Sequence, residues 1–236
     1  MKRLRLLLRD ADARREQGLV VLEGARLLHG ARDRHATITA LYGDGDGATP
    51  LAPGVIDRIS EVRSPQPVIA VAVDPVRSEL GPLLPGALLI GVDINDPGNA
   101  GTMIRSAEAA GCAAVVFAGS SVDPRNPKCI RSSAGAIFGI DVVEARDPVE
   151  CIDALGHLGY RTFAAVARAG AAPEAVDCAG NVAFVVGSEA HGLAQSVIDV
   201  SDGAVTIPMH GPAESLNVAQ AATILCFEAA RQRRSA

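Results

Sequence analysis

Aromatic side chains are scarce in this chain of 236 residues, which lacks tryptophan and has an aromatic fraction of 3%. Hydrophobic residues make up 48% of the sequence, and alanine, valine and leucine dominate among them. This composition is typical of proteins in which helices cover a sheet of small aliphatic strands. At this length we expect one large domain or two unequal ones.

Cysteine pairs and long apolar runs are also missing. The five cysteines are odd in number and widely spaced, so we expect reduced thiols rather than disulfides or a zinc site. The histidines show no metal-binding spacing, and we predict no metal. No run approaches the roughly 18 apolar residues that span a bilayer, and Leu6–Leu8 is too short for a signal peptide. We therefore expect a cytoplasmic protein without a membrane partner.

Lysine is nearly absent as well and occurs only at positions 2 and 128. The other cations are arginines, many of them early in the chain, at positions 3, 5, 9, 14, 15, 26, 32 and 34. A planar guanidinium suits phosphate recognition, although a solvated helix face explains such a cluster equally well. The net charge of −5 argues against a partner held by overall electrostatics, but it does not exclude a local basic patch.

Two α/β units are predicted from the apolar runs. The first spans residues 1–78, with strands at 19–22, 37–42 and 68–73 and a helix at 23–34. A linker lies in the Pro- and Gly-rich stretch 74–86, and we place it at 79–86. The second unit, 87–236, has strands at 87–94, 113–118, 161–166 and 182–186 and helices at 99–110 and 215–233. This alternation predicts a parallel sheet with a ligand site at the carboxyl ends of its strands.

The first polar segment of the second unit follows its first strand. Pro97 and Gly98 form a turn, Asn99 is placed to cap a helix, and Gly101 permits close approach of another backbone. The helical spacing buries a stripe that leaves Arg105 outside it. Taken alone, the segment is a capped helix with a surface arginine.

Two further segments combine tight turns with polar side chains. At 185–193 a strand runs directly into Gly187, with Glu189 two residues later. The glycine either lets the backbone approach a ligand closely or forms a plain turn. At 207–219 a Pro/Gly turn precedes a long helix, with Ser215 and Asn217 at its start. Both side chains can cap a helix, which is the simpler interpretation of this segment.

Together and in order, these segments resemble the three motifs of the SpoU/TrmH class of RNA 2′-O-ribose methyltransferases, within the SPOUT superfamily. The motifs read Asn99-X-Gly101-X-X-X-Arg105, Gly187-Ser188-Glu189-X-X-Gly192-Leu193, and Ile207-Pro208-Met209 followed by Glu214-Ser215-Leu216-Asn217-Val218-X-X-Ala221. Residues 123–128 and 131–135 are similar to the segment that links them, so the resemblance covers most of 87–233. In the first unit, residues 22–24 and 64–66 are similar to the family's L30e-like substrate-binding domain.

The resemblance implies S-adenosylmethionine as cofactor and RNA as substrate, methylated on a ribose 2′-hydroxyl of rRNA or tRNA, with rRNA favoured. It also implies a homodimer whose active sites draw on both subunits. The C-terminal helix should form a deep trefoil knot, whereas alternation alone predicts an unknotted sheet. The implied cofactor-binding residues are Gly187, Ile207, Met209, Leu216, Asn217 and Ala219. The implied catalytic residues are Arg105, Asn99, Ser215, Asn217 and Glu189.

Arg105 is assigned to grip the phosphate beside the target ribose and to polarise the 2′-hydroxyl, because a guanidinium stays protonated and makes a poor base. Ser215, Asn217 and Asn99 would fix that geometry, with Glu189 supporting the helix start or the arginine. Further candidates for RNA contact are Arg26, Arg125 and Arg131. The alternative function is a catalytically silent RNA-binding or ribosome-associated protein. A Rossmann-type enzyme is disfavoured, because no G-x-G-x-x-G follows an early strand.

Overall fold

The computed structural model describes residues 2–60, 62 and 64–235. Met1 and Ala236, which limit the two predicted domains, lie outside the described residues. In the described part of the chain the strands form two separate sheets, one small and antiparallel and one large and parallel.

The small unit precedes residue 74. Its strands are β1 (Leu19–Glu23), β2 (Ile38–Gly43) and β3 (Val68–Val73), and its helices are α1 (Lys2–Arg9), α2 (Ala11–Gln17), α3 (Ala25–Arg32) and α4 (Val55–Ile59). Strand β3 lies in the middle and pairs antiparallel with both neighbours. Because side chains alternate along a strand, Ile69 and Val71 pack with α1 and α4, whereas Ala70 and Ala72 pack on the side of α3. The three predicted strands and the helix between the first two are confirmed, and the helices α1, α2 and α4 are additions.

The large unit carries the parallel sheet. Its strands are β4 (Val76–Arg77), β5 (Ala87–Val92), β6 (Ala114–Ala118), β7 (Asp141–Ala145), β8 (Arg161–Ala165), β9 (Val182–Val186) and β10 (Gly203–Val205). Its helices are α5 (Pro97–Ala109), α6 (Pro127–Ser133), α7 (Pro148–His157), α8 (Gln195–Val200) and α9 (Val218–Arg233), with short 3-10 turns at Ala136–Phe138 and Pro173–Ala175. Among the described residues the strand order is β10-β8-β9-β5-β6-β7-β4, and every pairing is parallel. The predicted parallel sheet is therefore confirmed.

Helices cover both faces of this sheet. On one face Leu88 and Ile90 of β5 pack with residues of α7 and α8. On the other face Leu89 packs with residues of α5 and α9, and this core continues into α3 of the small unit. Strands buried on both faces read as continuous apolar runs, which explains why β5 was recognisable in the sequence.

Three helices of the large unit begin at the same dipeptide pattern, an Asp or Asn followed by proline. Asp96, Asn126 and Asp147 cap α5, α6 and α7, each accepting a hydrogen bond from a backbone N–H of the first turn. Proline suits the next position, because its φ is already helical and it has no N–H to leave unpaired. The predicted cap of α5 at Asn99 is thus wrong: Asp96 caps this helix, and Asn99 lies within its first turn.

The predicted boundary between the units needs correction. Val76 and Arg77 form β4, which pairs with β7, so the large sheet already includes residues placed before position 78. The predicted linker 79–86 also packs on the large unit: Leu80 and Leu83 contact its core, and the Tyr160 hydroxyl donates to the Leu84 carbonyl at 2.8 Å. Proline and glycine here mark an extended segment that lies on the sheet.

A cluster of buried ion pairs joins the units. Arg125 is 4% exposed and donates to the carboxylates of Asp74 and Glu144 and to the Val76 carbonyl. Beside it, Arg14 of α2 donates to Asp123 at 2.7 Å. The predicted contact between Arg125 and RNA is therefore wrong, because its guanidinium is buried and occupied by carboxylates.

None of the described helices is long and apolar enough to cross a bilayer. The His, Cys, Asp and Glu side chains that the structure describes form no group of three able to hold a metal ion. All five cysteines are free thiols in the interior, and burial raises the pKa of Cys151 to about 12.

Replacing Arg125 by alanine should strongly destabilise the fold, because it leaves the carboxylate of Asp74, which is 10% exposed, without its counter-ion. We expect the free energy of unfolding in urea to fall by about 3–5 kcal/mol. Arg77→Ala is the matched control, since its partner Asp141 is 40% exposed and pairs at the same sheet edge. That variant should lose less than about 1 kcal/mol. Equal losses in the two variants would contradict a junction stabilised by the Arg125 cluster.

Candidate active site

A cavity of about 600 Å³ lies at the carboxyl ends of β8, β9 and β10. Its walls come from three segments: residues 165–167 at the end of β8, residues 186–192 at the end of β9, and residues between 205 and 221, from the end of β10 to the first turn of α9. Parallel strands all end at one edge of their sheet, so loops distant in sequence meet there. Two of these three segments are the ones singled out in the sequence.

The wall after β9 depends on glycine. A Cβ at Gly187 would overlap the backbone of Gly192 and Leu193, so no larger residue fits without moving the loop. The loop closes on itself, as Gly192 N donates to the carbonyl of Ser188 at 2.8 Å. Ser188 is buried, whereas Glu189 is exposed beside the cavity.

The wall before α9 ends in a capped helix start. Asn217 is the N-cap, and its Oδ1 accepts from the backbone N of Ala219 at 2.9 Å. The helix therefore begins at Val218, three residues later than predicted, and Ser215 lies exposed in the preceding loop, where it lines the cavity.

Most predicted cofactor-binding residues line this cavity. They are Gly187, Ile207, Met209, Leu216 and Asn217. Ala219 does not line it: this residue is 2% exposed and packs in the core below. The lining also includes Glu214 and His191, neither of which was predicted as a site residue.

Three polar side chains form what we call the Asn99 bridge: Glu189, Asn99 and Asn217. The Nδ2 of Asn99 donates to Glu189 Oε1 at 2.6 Å, and the Nδ2 of Asn217 donates to Asn99 Oδ1 at 3.1 Å. The groups at the two ends of the bridge fix the direction of these bonds. The backbone N–H of Ala219 can only donate, so the side chain of Asn217 accepts there with its oxygen, and the ionised carboxylate of Glu189 can only accept. The bridge thus ties α5, the loop after β9 and the start of α9 together.

The first turn of α5 is held independently by Asp96. Its carboxylate binds Lys128 Nζ at 3.1 Å and accepts from the backbone of Gly98 and Asn99. The hydrogen bond from Lys128, with those from the backbone, lowers the pKa of Asp96. Sequence reasoning missed this pair, although an Asp directly before Pro97 is a recognisable helix start.

Arg105 stands apart from the cavity in its own chain. It is exposed on α5, and no described residue hydrogen-bonds to it or pairs with it. Six positions beyond Asn99, it projects from a different side of the helix. On the side facing α9, Ser106 and Thr223 share a hydrogen bond of 2.7 Å between their hydroxyls.

The other predicted RNA-contact residues differ in availability. Arg26 is exposed on α3. Arg131 donates to Glu23 of the small unit at 2.9 Å, and its side chain is 29% exposed. Arg131 therefore bridges the two units, as the buried Arg125 cluster does.

The fold and the cavity define an α/β protein with a binding site of cofactor size at the carboxyl edge of a parallel sheet. Residues 86–227 match the model of the SpoU rRNA methylase family. The chain belongs to this family, and the resemblance seen in its motifs is confirmed.

Named relatives support this assignment. The chain is 35% identical over 178 residues to the 23S rRNA (guanosine(2553)-2′-O)-methyltransferase RlmP of Bacillus subtilis, covering 75% of this chain and 70% of that protein. It is 40% identical over 151 residues to RlmB of Xanthomonas axonopodis, a 23S rRNA (guanosine-2′-O-)-methyltransferase, covering 64% of this chain and 61% of that protein.

A solved structure extends the similarity over nearly the whole chain. AviRb from Streptomyces viridochromogenes, a SpoU methyltransferase crystallised in complex with AdoMet, superposes with a TM-score of 0.87 at 27% identity. The match covers 99% of this chain and 97% of AviRb. The match therefore includes both the small unit and the large unit of this chain.

Removing the central amide of the Asn99 bridge should loosen two distant segments at once. In Asn99→Ala we expect faster backbone hydrogen exchange at 187–193 and at the first turn of α9, because both lose the same partner. Thr102→Ala is the control, since that hydroxyl bonds only to the Gly98 carbonyl within α5. Unchanged exchange at one of the two segments would show that the bridge does not couple them.

Proposed function

We propose that this protein transfers a methyl group from S-adenosylmethionine to a ribose 2′-hydroxyl of RNA, with large-subunit rRNA as the favoured substrate. The observation that carries the proposal is the convergence of the three motif segments, two lining one cavity and the third tied to it by the Asn99 bridge. The named relatives, which act on 23S rRNA, support the choice of rRNA over tRNA.

The cavity suits the proposed cofactor. Its volume of about 600 Å³ lies in the range of cofactor sites, and its walls combine apolar side chains with backbone polar groups. Ile207, Met209 and Leu216 provide apolar surface, and Gly187 lets the backbone approach closely. Ala219 contributes indirectly, because its backbone N–H donates to the side chain of Asn217 and holds it in place. When bound, S-adenosylmethionine supplies an electrophilic methyl group on a positively charged sulfur.

The residues of the chain then have to orient the ribose. Arg105 binds the phosphate next to the target nucleotide and hydrogen-bonds the 2′-hydroxyl, a role that matches a guanidinium that stays charged. Ser215 and Asn217 hold the acceptor side at the cavity mouth. Glu189 positions Asn99 through the bridge and does not reach Arg105 within the chain. Most of the acceleration would come from orientation of the two reactants.

The exposed position of Arg105 favours a site completed by a second subunit. Arg105 does not line the cavity of its own chain, so we infer that it reaches the cavity of its partner in a homodimer. The face of α9 offers apolar surface for such contact, with Ile224 and Phe227 exposed by 40% and 45%. The proposal has three further parts: a trefoil knot at α9, an L30e-like small unit and a cytoplasmic location. The resemblance to the family supports all three.

The proposed reaction is tested on 23S rRNA isolated from a strain that lacks the gene. Purified protein and S-adenosylmethionine should add one class of 2′-O-methylated nucleotide, detected as a block to alkaline cleavage and as a methylated nucleoside by mass spectrometry. Arg105→Lys should lower kcat/KM at least about 100-fold, because an ammonium cannot replace planar bidentate binding. Arg146→Lys, an exposed arginine away from the cavity, should be near normal. No methylation, despite tight RNA binding, would favour the catalytically silent RNA-binding protein.

The shared site is tested by mixing two inactive variants. Gly187→Ala should lose binding of S-adenosylmethionine in calorimetry, and Arg105→Ala should retain it. Heterodimers formed by co-expression would contain one intact cavity facing one intact arginine. About a quarter of wild-type activity should return, as half of the dimers are mixed and each has one working site of two. If each site used only its own chain, the mixture would stay inactive, and a fully active monomer would also refute the model.

A further inference from the structure

The small unit carries a second, larger cavity, far along the chain from the motifs. This groove of about 710 Å³ lies between α1 and α4. We call it the α1–α4 groove and define it by the residues used below, Lys2, Arg5, Leu6, Arg9, Arg58 and Ile59. None of these residues belongs to the methyltransferase motifs.

The groove is basic although the chain is acidic. Positions 2, 5, 6 and 9 follow the spacing of one helical stripe, so three cations of α1 project along the same side. Arg58 faces them from α4 and uses its Nε to donate to the Gly54 carbonyl. In the part of the chain that the structure describes, no carboxylate pairs with Lys2, Arg5 or Arg58. Asp10 lines the groove, but its Oδ1 accepts from the Ala13 backbone.

The groove also has an apolar part between these charges. Leu6 is 44% exposed, while Leu4, Leu7 and Leu8 of the same helix are buried against β1 and β3. Ile59 is buried below it at the edge of the same core. A ligand that fits has to bring negative charges for the rim and a flat or apolar group for Leu6. Single-stranded RNA offers both, as phosphates along its backbone and unstacked bases between them.

We propose that the α1–α4 groove binds a single-stranded segment of the substrate RNA, with phosphates on Lys2, Arg5 and Arg58 and a base against Leu6. The identity of the ligand as RNA rests on the proposed function, but the groove itself requires no chemistry at the active site. Its contribution would be a second point of attachment on the same RNA, which adds affinity through effective concentration.

The test measures binding of a fluorescent oligouridylate of about twelve nucleotides without S-adenosylmethionine, by anisotropy. Arg5→Glu should weaken binding at least tenfold and lower the slope of log K against log salt, because it removes one phosphate contact and adds repulsion. Arg3→Glu is the matched control: it has the same charge change on the same helix, but Arg3 lies outside the groove and bonds to Gln17. Circular dichroism should show both variants folded, since both positions are exposed.

Leu6→Ser separates base contact from charge. It should weaken binding of the oligouridylate several-fold and leave unchanged the weaker binding of an abasic oligomer of equal charge. Equal effects of Arg5→Glu and Arg3→Glu would overturn the proposal. A second result would also overturn it: the oligouridylate does not bind, but vesicles of phosphatidylcholine and phosphatidylglycerol bind in a way that depends on Arg5 and Leu6. The groove would then be a site for a lipid surface.

The groove proposal and the proposed reaction can be refuted independently of each other. If rRNA is methylated normally by Arg5→Glu and its oligouridylate affinity is unchanged, the groove proposal falls and the methyl transfer stands. If oligouridylate binding depends on Arg5 but no RNA is methylated, the groove stands and the reaction falls.

Discussion

The buried ion cluster around Arg125 is the interaction on which the arrangement of this molecule depends. Its guanidinium joins Asp74, which follows the small sheet, to Glu144 on β7 of the large sheet, and Arg14 adds a second link through Asp123. Charges withdrawn from water are stable only when their partners are complete, so the cluster permits one relative position of the two units. Because of this, cations on the small unit keep a fixed place relative to the cavity of the large one.

At the cavity, one set of polar groups serves both folding and the proposed chemistry. Asn217 caps α9 with its oxygen and extends its amide to Asn99, which in turn holds Glu189. A helix start needs such a side chain in any case. Here the same cap also ties the start of α9 to α5, and Asn99 ties α5 in turn to the loop after β9. Stability at this place and orientation of the acceptor ribose are therefore hard to change independently.

Much of this architecture could be predicted from the sequence, for identifiable reasons. Strands such as β5 are apolar on both faces and stand out as runs, and the motif segments follow them. Strands β4 and β10 are only two and three residues long, too short for any periodicity. The predicted role of Arg125 was wrong, because an arginine in a polar loop looks the same whether it faces RNA or the carboxylates of Asp74 and Glu144, which are 51 and 19 residues away in sequence. Pairing across such sequence distances is a property of the folded chain. The Asx-Pro starts of α6 and α7, by contrast, were visible and overlooked.

The ion cluster around Arg125 also orders events during synthesis. The small sheet is complete once Val73 has been made, but its anchor is not, since Glu144 follows Asp74 by 70 residues. At ribosomal rates this interval lasts roughly 4–14 s. Throughout it the small unit has the residues of its sheet and of its basic helix α1, while Glu144, the last carboxylate of the ion cluster, does not yet exist. For this interval the basic side chains of α1 are already part of the nascent chain, whereas the last carboxylate of the cluster that joins the small unit to the large sheet is not.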